Sequence, residues 1–414
     1  MVLKKILLII FDGLSDRPIP ELGNKTPLEV AKIPNINKIV SKGICGVQNA
    51  VPGLGYPTSE IAHFSILGYD YKKEMPGRGV LEALGINAPL TKKDLALRVD
   101  FGTVDDGLHV IDPRAGNIKS VADFCKHLGD IKIKTFDFNI YPGLAHRASL
   151  VISGPAVSKA IHHHSTVVSD TDPHKATNHR GGNKVLIPAP LDDSIESKMT
   201  AEALWQYQLY TYQKLDNYAE NRIRVRAGQL PANFLLTRGA GFVDNIESFH
   251  HRFNLKAACV AGAPLYKGIA KYLGMDIIDA PGATGGWDTN IESKIETSLE
   301  ALESGYDFVF MHLKGTDVVA EEEGDWQKKI EFLERADKSF SRLKKFDGIL
   351  AITGDHSTPC ILKDHSDDPV PFALVGGIKD SILSFNENDC SKGGLGHFSG
   401  HEIMKKLIRE AENV

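Results

Sequence analysis

The strongest constraint on this chain is a set of short apolar runs, several of them followed by acidic or imidazole residues. KKILLIIFDG (4–13) holds six consecutive apolar residues, Ile6 to Phe11, and ends at Asp12. Comparable runs recur as KAACVAG (256–262), YDFVFMHLKG (306–315), FDGILAITGD (346–355) and PFALVGG (371–377). A run with no polar alternation is the pattern of a strand buried on both faces, as in a parallel sheet. Between the runs lie stretches such as DWQKKIEFLERADKSFSRLKKF (325–346), with apolar residues at helical spacing. Strands alternating with amphipathic helices predict an α/β fold: a doubly wound, mostly parallel sheet with helices on both faces.

The middle of the chain has a different texture. DLALRVDFGTV, LHVIDP, DIKIKTFDFNIYP and HRASLVISG, between about residues 90 and 185, read as antiparallel strands with Gly/Pro turns, and a polar helical stretch follows at about 192–221. The expected organisation is one α/β domain from residues 1–78 and 225–414, interrupted by a smaller α+β insertion at 79–224. With 48 Lys+Arg against 53 Asp+Glu, the net charge of −5 offers no basic arm, so no nucleic-acid partner is expected. No apolar stretch approaches the roughly 18–20 residues of a membrane span. KKILLIIFDG is too short for a signal-peptide core and lacks a small-residue cleavage site. Five scattered cysteines (45, 125, 259, 360 and 390) form no CxxC pair, and a reducing cytoplasm is the expected compartment. Neither GxGxxG after the first strand nor GxxxxGK[ST] occurs, which sets aside a nucleotide-binding reading. Oligomeric state is left open.

In a doubly wound sheet, ligands gather at the carboxyl ends of strands. Asp12, Asp317, the pair Asp355-His356, and His365 in HSDDPVP all fall at predicted strand ends or in the adjoining loop. Each alone reads equally well as a helix cap or turn residue. Together they suit one or two divalent cations such as Mn²⁺, Mg²⁺, Co²⁺ or Zn²⁺, and a two-ion clamp suits phosphoryl displacement. A nucleophile is offered by GLGYPTSEIAHFSILGYD (53–70), where Thr58-Ser59 precede a helical start at Glu60. A hydroxyl there either caps the helix or faces an approaching phosphate at its positive end. His162-His163-His164 point in different directions and are given no metal role, and His397 and His401 are read as loop and cap residues.

FDGLSDRP, the Ser-acidic helix start with FSILGYD, GRG (77–79), DPRAG (112–116), SDTDPH (169–174), LLTRGAG (235–241), PGATGGWDTN (281–290), TGDHSTPC with HSDDPVP, and GGLGHFSG (393–400) appear in this order. This set resembles the archaeal-type cofactor-independent (2,3-bisphosphoglycerate-independent) phosphoglycerate mutases of the alkaline phosphatase superfamily. The resemblance spans most of the chain and implies interconversion of 3- and 2-phosphoglycerate, a step of glycolysis and gluconeogenesis, through a phosphoserine on Ser59. It implies two divalent cations, with manganese preferred. One would be held by Asp12, Ser59, Asp355 and His356, and the other by Asp317, His365 and a further ligand. Where the family has histidine in TD-x-A-G-H, this chain reads TDVVAEEEGD, with an apparent one-residue insertion. Counting forward from Asp317 gives Glu321 and counting back gives Glu322; α-helical i, i+4 spacing favours Glu321. A carboxylate there makes the site more Mn²⁺- or Mg²⁺-like than Zn²⁺-like. A second departure is Thr58-Ser59-Glu60 in place of Gly-Ser-Asp.

A substrate bearing a phosphate and a carboxylate calls for forked arginine donors. Arg98, Arg114, Arg147, Arg180 and Arg238 are the candidates within the motifs, and Lys267 in PLYKG is a candidate for holding the phosphoserine. Asp172 and His174 resemble the family's acid/base loop. The insertion is expected to act as a lid hinged near 75–90 and 220–230. The rival expectations are another metal-dependent phosphatase or phosphomutase of the superfamily, or a non-catalytic phosphoglycerate binder.

Overall fold

The computed structural model describes residues 3–55, 57–159, 167–173 and 183–412. The chain forms two compact units, Met1–Met75 with Glu247–Val414, and Pro76–Ile246. In chain order the first unit contributes β1 (Ile6–Phe11) and β2 (Gly43–Asn49). The second contributes β3 (Leu95–Val104), β4 (Val110–Asp112), β5 (Ile131–Ile133), β6 (Phe136–Pro142), β7 (Arg147–Ser153) and β8 (Phe234–Gly241). The first unit then resumes with β9 (Ala257–Val260), β10 (Asp276–Ile277), β11 (Phe308–Leu313), β12 (Ile349–Gly354), β13 (Val370–Val375) and β14 (Gly396–Ser399).

The first unit's sheet runs β10-β9-β11-β1-β12-β13-β2-β14. It is parallel from β10 to β12; β13 runs antiparallel to both its neighbours, and β14 is parallel to β2. Every residue of β1 is at most 1% exposed, as the unbroken apolar run requires of the central strand, and each such side chain contributes about 1.5–3 kcal/mol of burial. The helix Trp326–Phe340 packs Phe332, Leu333, Ala336 and Phe340 into this core, on one helical face. The apolar runs at 256–262, 306–315, 346–355 and 371–377 are β9, β11, β12 and β13.

Register then sets the height of the residue that ends each strand. Phe11 lies opposite Leu313 on one side and Gly354 on the other. One residue further on, Asp12, Lys314 and Asp355 therefore emerge at the same level on three neighbouring strands.

The second unit is an antiparallel sheet, β4-β3-β7-β6-β5, with β8 also paired to β3. The helix Ile195–Asp216 buries Leu204, Tyr207, Gln208 and Leu215, and Tyr207 stacks on Phe138 of β6 at 4.4 Å. Among the described residues no helix is long and apolar enough to cross a membrane.

Candidate active site

Two constellations emerge, one in each unit. In the first unit Asp12, Asp355 and His356 offer ligand atoms within 4.8 Å of one another, and so do Asp317, His356 and His365. His356 belongs to both groups. Asp12 Oδ1 and Asp355 Oδ2 each lie 3.3 Å from His356 Nε2. Both oxygens are buried with no hydrogen-bond partner among the described residues. Carboxylate oxygens left unsatisfied in a buried site are costly, and a cation between them removes the cost, so this donor set fits a divalent ion. The remaining oxygens are fixed from behind. Gly13 N–H and His356 N–H donate to Asp355 Oδ1 at 3.0 and 2.9 Å, and Thr358 Oγ1 donates to Asp317 Oδ1 at 2.9 Å. Gly13 is at φ +61°, and a Cβ on it would lie 2.4 Å from Thr358 Oγ1, so only glycine allows this close approach.

Ser59 is the first residue of the helix Ser59–Ile66, with Thr58 at the N-cap position. Thr58 makes no capping bond through its side chain. The Ser59 hydroxyl instead sits 3.3 Å from His356 Nε2. Of the two roles open to a hydroxyl here, the geometry gives Ser59 the one that faces the acidic and imidazole cluster.

Several residues that sequence patterns pass over complete the cluster. His63, one turn after Ser59, donates from Nδ1 to the Ser59 carbonyl at 2.7 Å and ties the helix start down. Tyr266 O–H and Lys314 Nζ both donate to Asp12 Oδ2. His312 Nε2 lies 3.5 Å from the same oxygen, and its ring stacks on Tyr266. Lys329 is fully buried, and its ammonium donates to the Ser15 carbonyl, Asp16 Oδ2 and the Thr358 carbonyl, each at 3.0 Å. It thereby joins the loop after β1 to the loop after β12. Lys267 pairs with Asp279; its chain neighbour Tyr266 is the one that reaches Asp12.

The segment after Asp317 is not a continuous α-helix. A short α turn (Gly315–Val318) passes into a π turn (Val319–Glu323) closed by Gly324 at φ +68°. A single-residue insertion in a helix is accommodated by such a turn, so the i, i+4 argument for Glu321 does not carry over unchanged. Glu321 lies outside both close groupings, but its charge adds to those acting on Lys314 and His365, whereas Glu322 is exposed.

Burial and the Asp12 charge push the Asp355 carboxyl up to about 7. Burial lowers His365, but its contact with Asp317 and the charges of Asp317 and Glu321 outweigh this and bring it up to about 9. His63 is pushed down to about 4 by burial. An ion held by Asp317 and His365 must displace the imidazole proton, so affinity is linked to pH. Divalent-ion affinity, measured by calorimetry, is expected to rise about tenfold per pH unit between pH 7 and 9. The stability of chelator-treated protein should move the other way. A group raised from 6.5 to about 9 contributes stability that is fully present below 6.5 and lost as pH climbs through 9. Asp355, raised to about 7, titrates at the lower edge of that window and acts in the same direction, whereas Asp12, Asp317 and His63 keep one protonation state throughout it. An affinity independent of pH would remove His365 from the ligand set.

In the second unit Arg98 and Asp100 share one face of β3. Arg238 of β8 is in register with Arg98, and Arg147 of β7 with Asp100. Arg98 Nη2 lies 2.9 Å from Asp100 Oδ2, Arg238 Nη2 lies 3.7 Å from the same oxygen, and Arg238 also bonds Asp172. His146 Nε2 lies 3.5 Å from Asp100 Oδ1. Burial alone would raise Asp100, but Arg98, His146, Arg238 and Arg147 hold it far below the usual carboxylate range. Burial and the charges of Arg147, Arg98 and Arg114 outweigh Asp100 and push His146 down to about 3. Arg147 Nε and Arg238 Nε are buried without a hydrogen-bond acceptor among the described residues. The register thus brings Arg98, Arg147 and Arg238 together, the Arg238 ion pair adds Asp172, and Arg114 contributes its charge. His174 and Arg180, like His162 to His164, lie outside the described residues.

A family model described as the metalloenzyme superfamily matches residues 4–410. The 2,3-bisphosphoglycerate-independent phosphoglycerate mutase 1 of Methanocaldococcus jannaschii is 40% identical over 412 residues, covering 98% of this chain and 96% of the relative. The 2,3-bisphosphoglycerate-independent phosphoglycerate mutase of Thermococcus kodakarensis is 39% identical over 415 residues, covering 98% and 97%. Among solved structures, a protein from Pyrococcus horikoshii superposes with a TM-score of 0.82 at 34% identity, covering 100% of this chain and 99% of the other. The cofactor-independent phosphoglycerate mutase of Thermoplasma acidophilum gives 0.67 at 33% identity, covering 99% and 100%.

Proposed function

The chain belongs to the metalloenzyme superfamily and, within it, to the 2,3-bisphosphoglycerate-independent phosphoglycerate mutases, and from that premise we propose that it interconverts 3- and 2-phosphoglycerate through a phosphoserine on Ser59. The observation that carries this reading is the Ser59 hydroxyl at a helix start, 3.3 Å from His356 Nε2 and clear of any capping role. Asp12, Asp355 and His356, with Ser59, are assigned to one divalent ion, and Asp317, His365 and Glu321 to another. Such ions supply positive charge that favours the ionised serine hydroxyl and the charge developing on the phosphoryl group.

Ser59 Oγ attacks phosphorus and the bond to the glycerate 3-oxygen breaks. That oxygen gains a proton. In the second half the 2-oxygen takes the phosphoryl group, gives up its proton, and Ser59 is restored. Asp172 and His174 are assigned to this exchange: a group that donates in one half and accepts in the other closes the proton balance. Helix-start N–H groups and their dipole favour the phosphate at Ser59. Arg98, Arg114, Arg147 and Arg238 are assigned to the anionic groups of the substrate, for which forked donors are suited, and Lys267 to the phosphoserine. Manganese as the preferred ion rests on Glu321 in place of an imidazole. A cytoplasmic enzyme fits the five cysteines, all free and buried.

The test is ³¹P NMR of 3-phosphoglycerate with chelator-stripped protein and no bisphosphoglycerate, before and after adding Mn²⁺. Ion-dependent appearance of 2-phosphoglycerate is expected. Release of inorganic phosphate without isomerisation would replace this reading with a phosphatase, and binding without turnover under every divalent ion would leave a phosphoglycerate-binding protein.

A further inference from the structure

Lys314 is placed by the strand register, but neither the apolar pattern nor the motifs give it a role. It comes directly after β11, at the height of Asp12 and Asp355, and its ammonium bridges the two ligand groups. Nζ donates to Asp12 Oδ2 at 2.9 Å and to Asp317 Oδ2 at 2.7 Å. Those carboxylates belong to different groups, Asp12 with Asp355 and Asp317 with His365. The two acids are at most 1% exposed, while the Lys314 side chain is 18% exposed. The lysine is therefore the more exposed of the three and reaches the pair on a flexible stem.

We propose that Lys314 is an internal counter-cation of the Asp12–Asp317 pair whose charge opposes that of the divalent ions and so sets the ion concentration at which the centre fills. The inference rests on the metal-dependent reading above. Three buried carboxylates, Asp12, Asp317 and Asp355, repel one another, and one ammonium shared by two of them offsets part of that repulsion. The ammonium holds Oδ2 of both acids, whereas the Asp12 oxygen without a partner among the described residues is Oδ1, so a divalent ion among these carboxylates would be opposed by the nearby ammonium charge rather than by loss of its ligand oxygens. Lysine suits such a role because its charge is a compact point on four methylenes and is not locked into a forked pair. Metal affinity then falls short of what the carboxylates and imidazoles alone would give, and loading becomes responsive to ion supply.

The experiment is Mn²⁺ titration by calorimetry of the full chain, comparing wild type with Lys314→Met and Lys314→Arg. Removing the competing charge is expected to tighten Mn²⁺ binding by about tenfold or more, while arginine, keeping the charge, stays near wild type. A merely structural lysine predicts the opposite sign: weaker binding in Lys314→Met. Equal or weaker binding overturns the proposal. Failure of the wild type itself to bind any divalent ion would instead overturn the metal-dependent reading. Should Lys314→Met not fold without metal, acetylation of wild-type lysines read by peptide mass spectrometry serves in its place. Lys314 labelling is expected to rise several-fold when Mn²⁺ is added, and unchanged or reduced labelling overturns the proposal.

Discussion

Ser59→Ala is expected to fold normally, to bind phosphoglycerate, and to lose about 10⁴- to 10⁶-fold of kcat, the range seen when an attacking oxygen is deleted. The structure separates chemistry from stability at this position. Ser59 begins its helix, and among the described residues its hydroxyl contacts His356 rather than capping the helix. Alanine is a good helix former and fills less space, so the helix start should survive. His63 still donates to the backbone carbonyl of residue 59, a bond indifferent to the side chain. The measurement pairs thermal melts with the ³¹P assay: a melting temperature close to wild type, together with no isomerisation and no phosphoprotein after quenching. Activity within tenfold of wild type would move the nucleophile elsewhere, and Thr58, whose hydroxyl is buried and makes no hydrogen bond among the described residues, would be the next to test.

Much of the first unit is legible in the sequence because burial leaves a simple mark. β1, β9, β11, β12 and β13 are largely apolar runs, and Asp12 and Asp355, which end β1 and β12, fall at one sheet edge because the strands are in register. The other strands of this sheet leave no such mark. β10 has two residues, and β2 and β14 carry glycines where their backbones pass closely, as at Gly46, where a Cβ would lie 2.5 Å from the Gly396 carbonyl. β8 stands out in the sequence only as a motif, yet its pairing with β3 sets Arg238 opposite Arg98. Lys314 is within reach of the sequence: counting one residue past each strand end selects it together with Asp12 and Asp355. His63 is also within reach, four residues after Ser59 on a helix. Tyr266 is not, since nothing in PLYKG distinguishes the residue that turns to Asp12 from the lysine beside it. The segment after Asp317 shows the limit of spacing arguments. The extra residue can be counted, but the π turn that absorbs it changes which side chains share a face.

The second large effect is expected in the second unit, where Asp100→Leu should destabilise the protein by about 3–5 kcal/mol, the cost of leaving a buried charge without its partner. Asp100 is 2% exposed and stands between Arg98 and Arg238, with Arg147 opposite and His146 alongside. Leucine fits the volume but leaves the Arg98 guanidinium, 3% exposed, without the carboxylate it binds through Nε and Nη2. The sign with pH comes from the depressed carboxyl: its stabilisation is present above the unfolded value near 3.8 and is lost only as pH falls through the much lower folded value. At neutral pH the whole effect is therefore exposed to mutation. Urea unfolding of both proteins measures it, and the double variant Arg98→Leu/Asp100→Leu should recover much of the loss, because an apolar pair is tolerated where a lone charge is not. The same logic reaches function. A cluster short of one negative charge should welcome an anion, so 3-phosphoglycerate should raise the unfolding midpoint of Asp100→Leu more than that of wild type. A loss below about 1 kcal/mol, the scale of an exposed pair, with no added protection by the substrate, would mean that the arginines do not act as one electrostatic unit and would withdraw them from the substrate site.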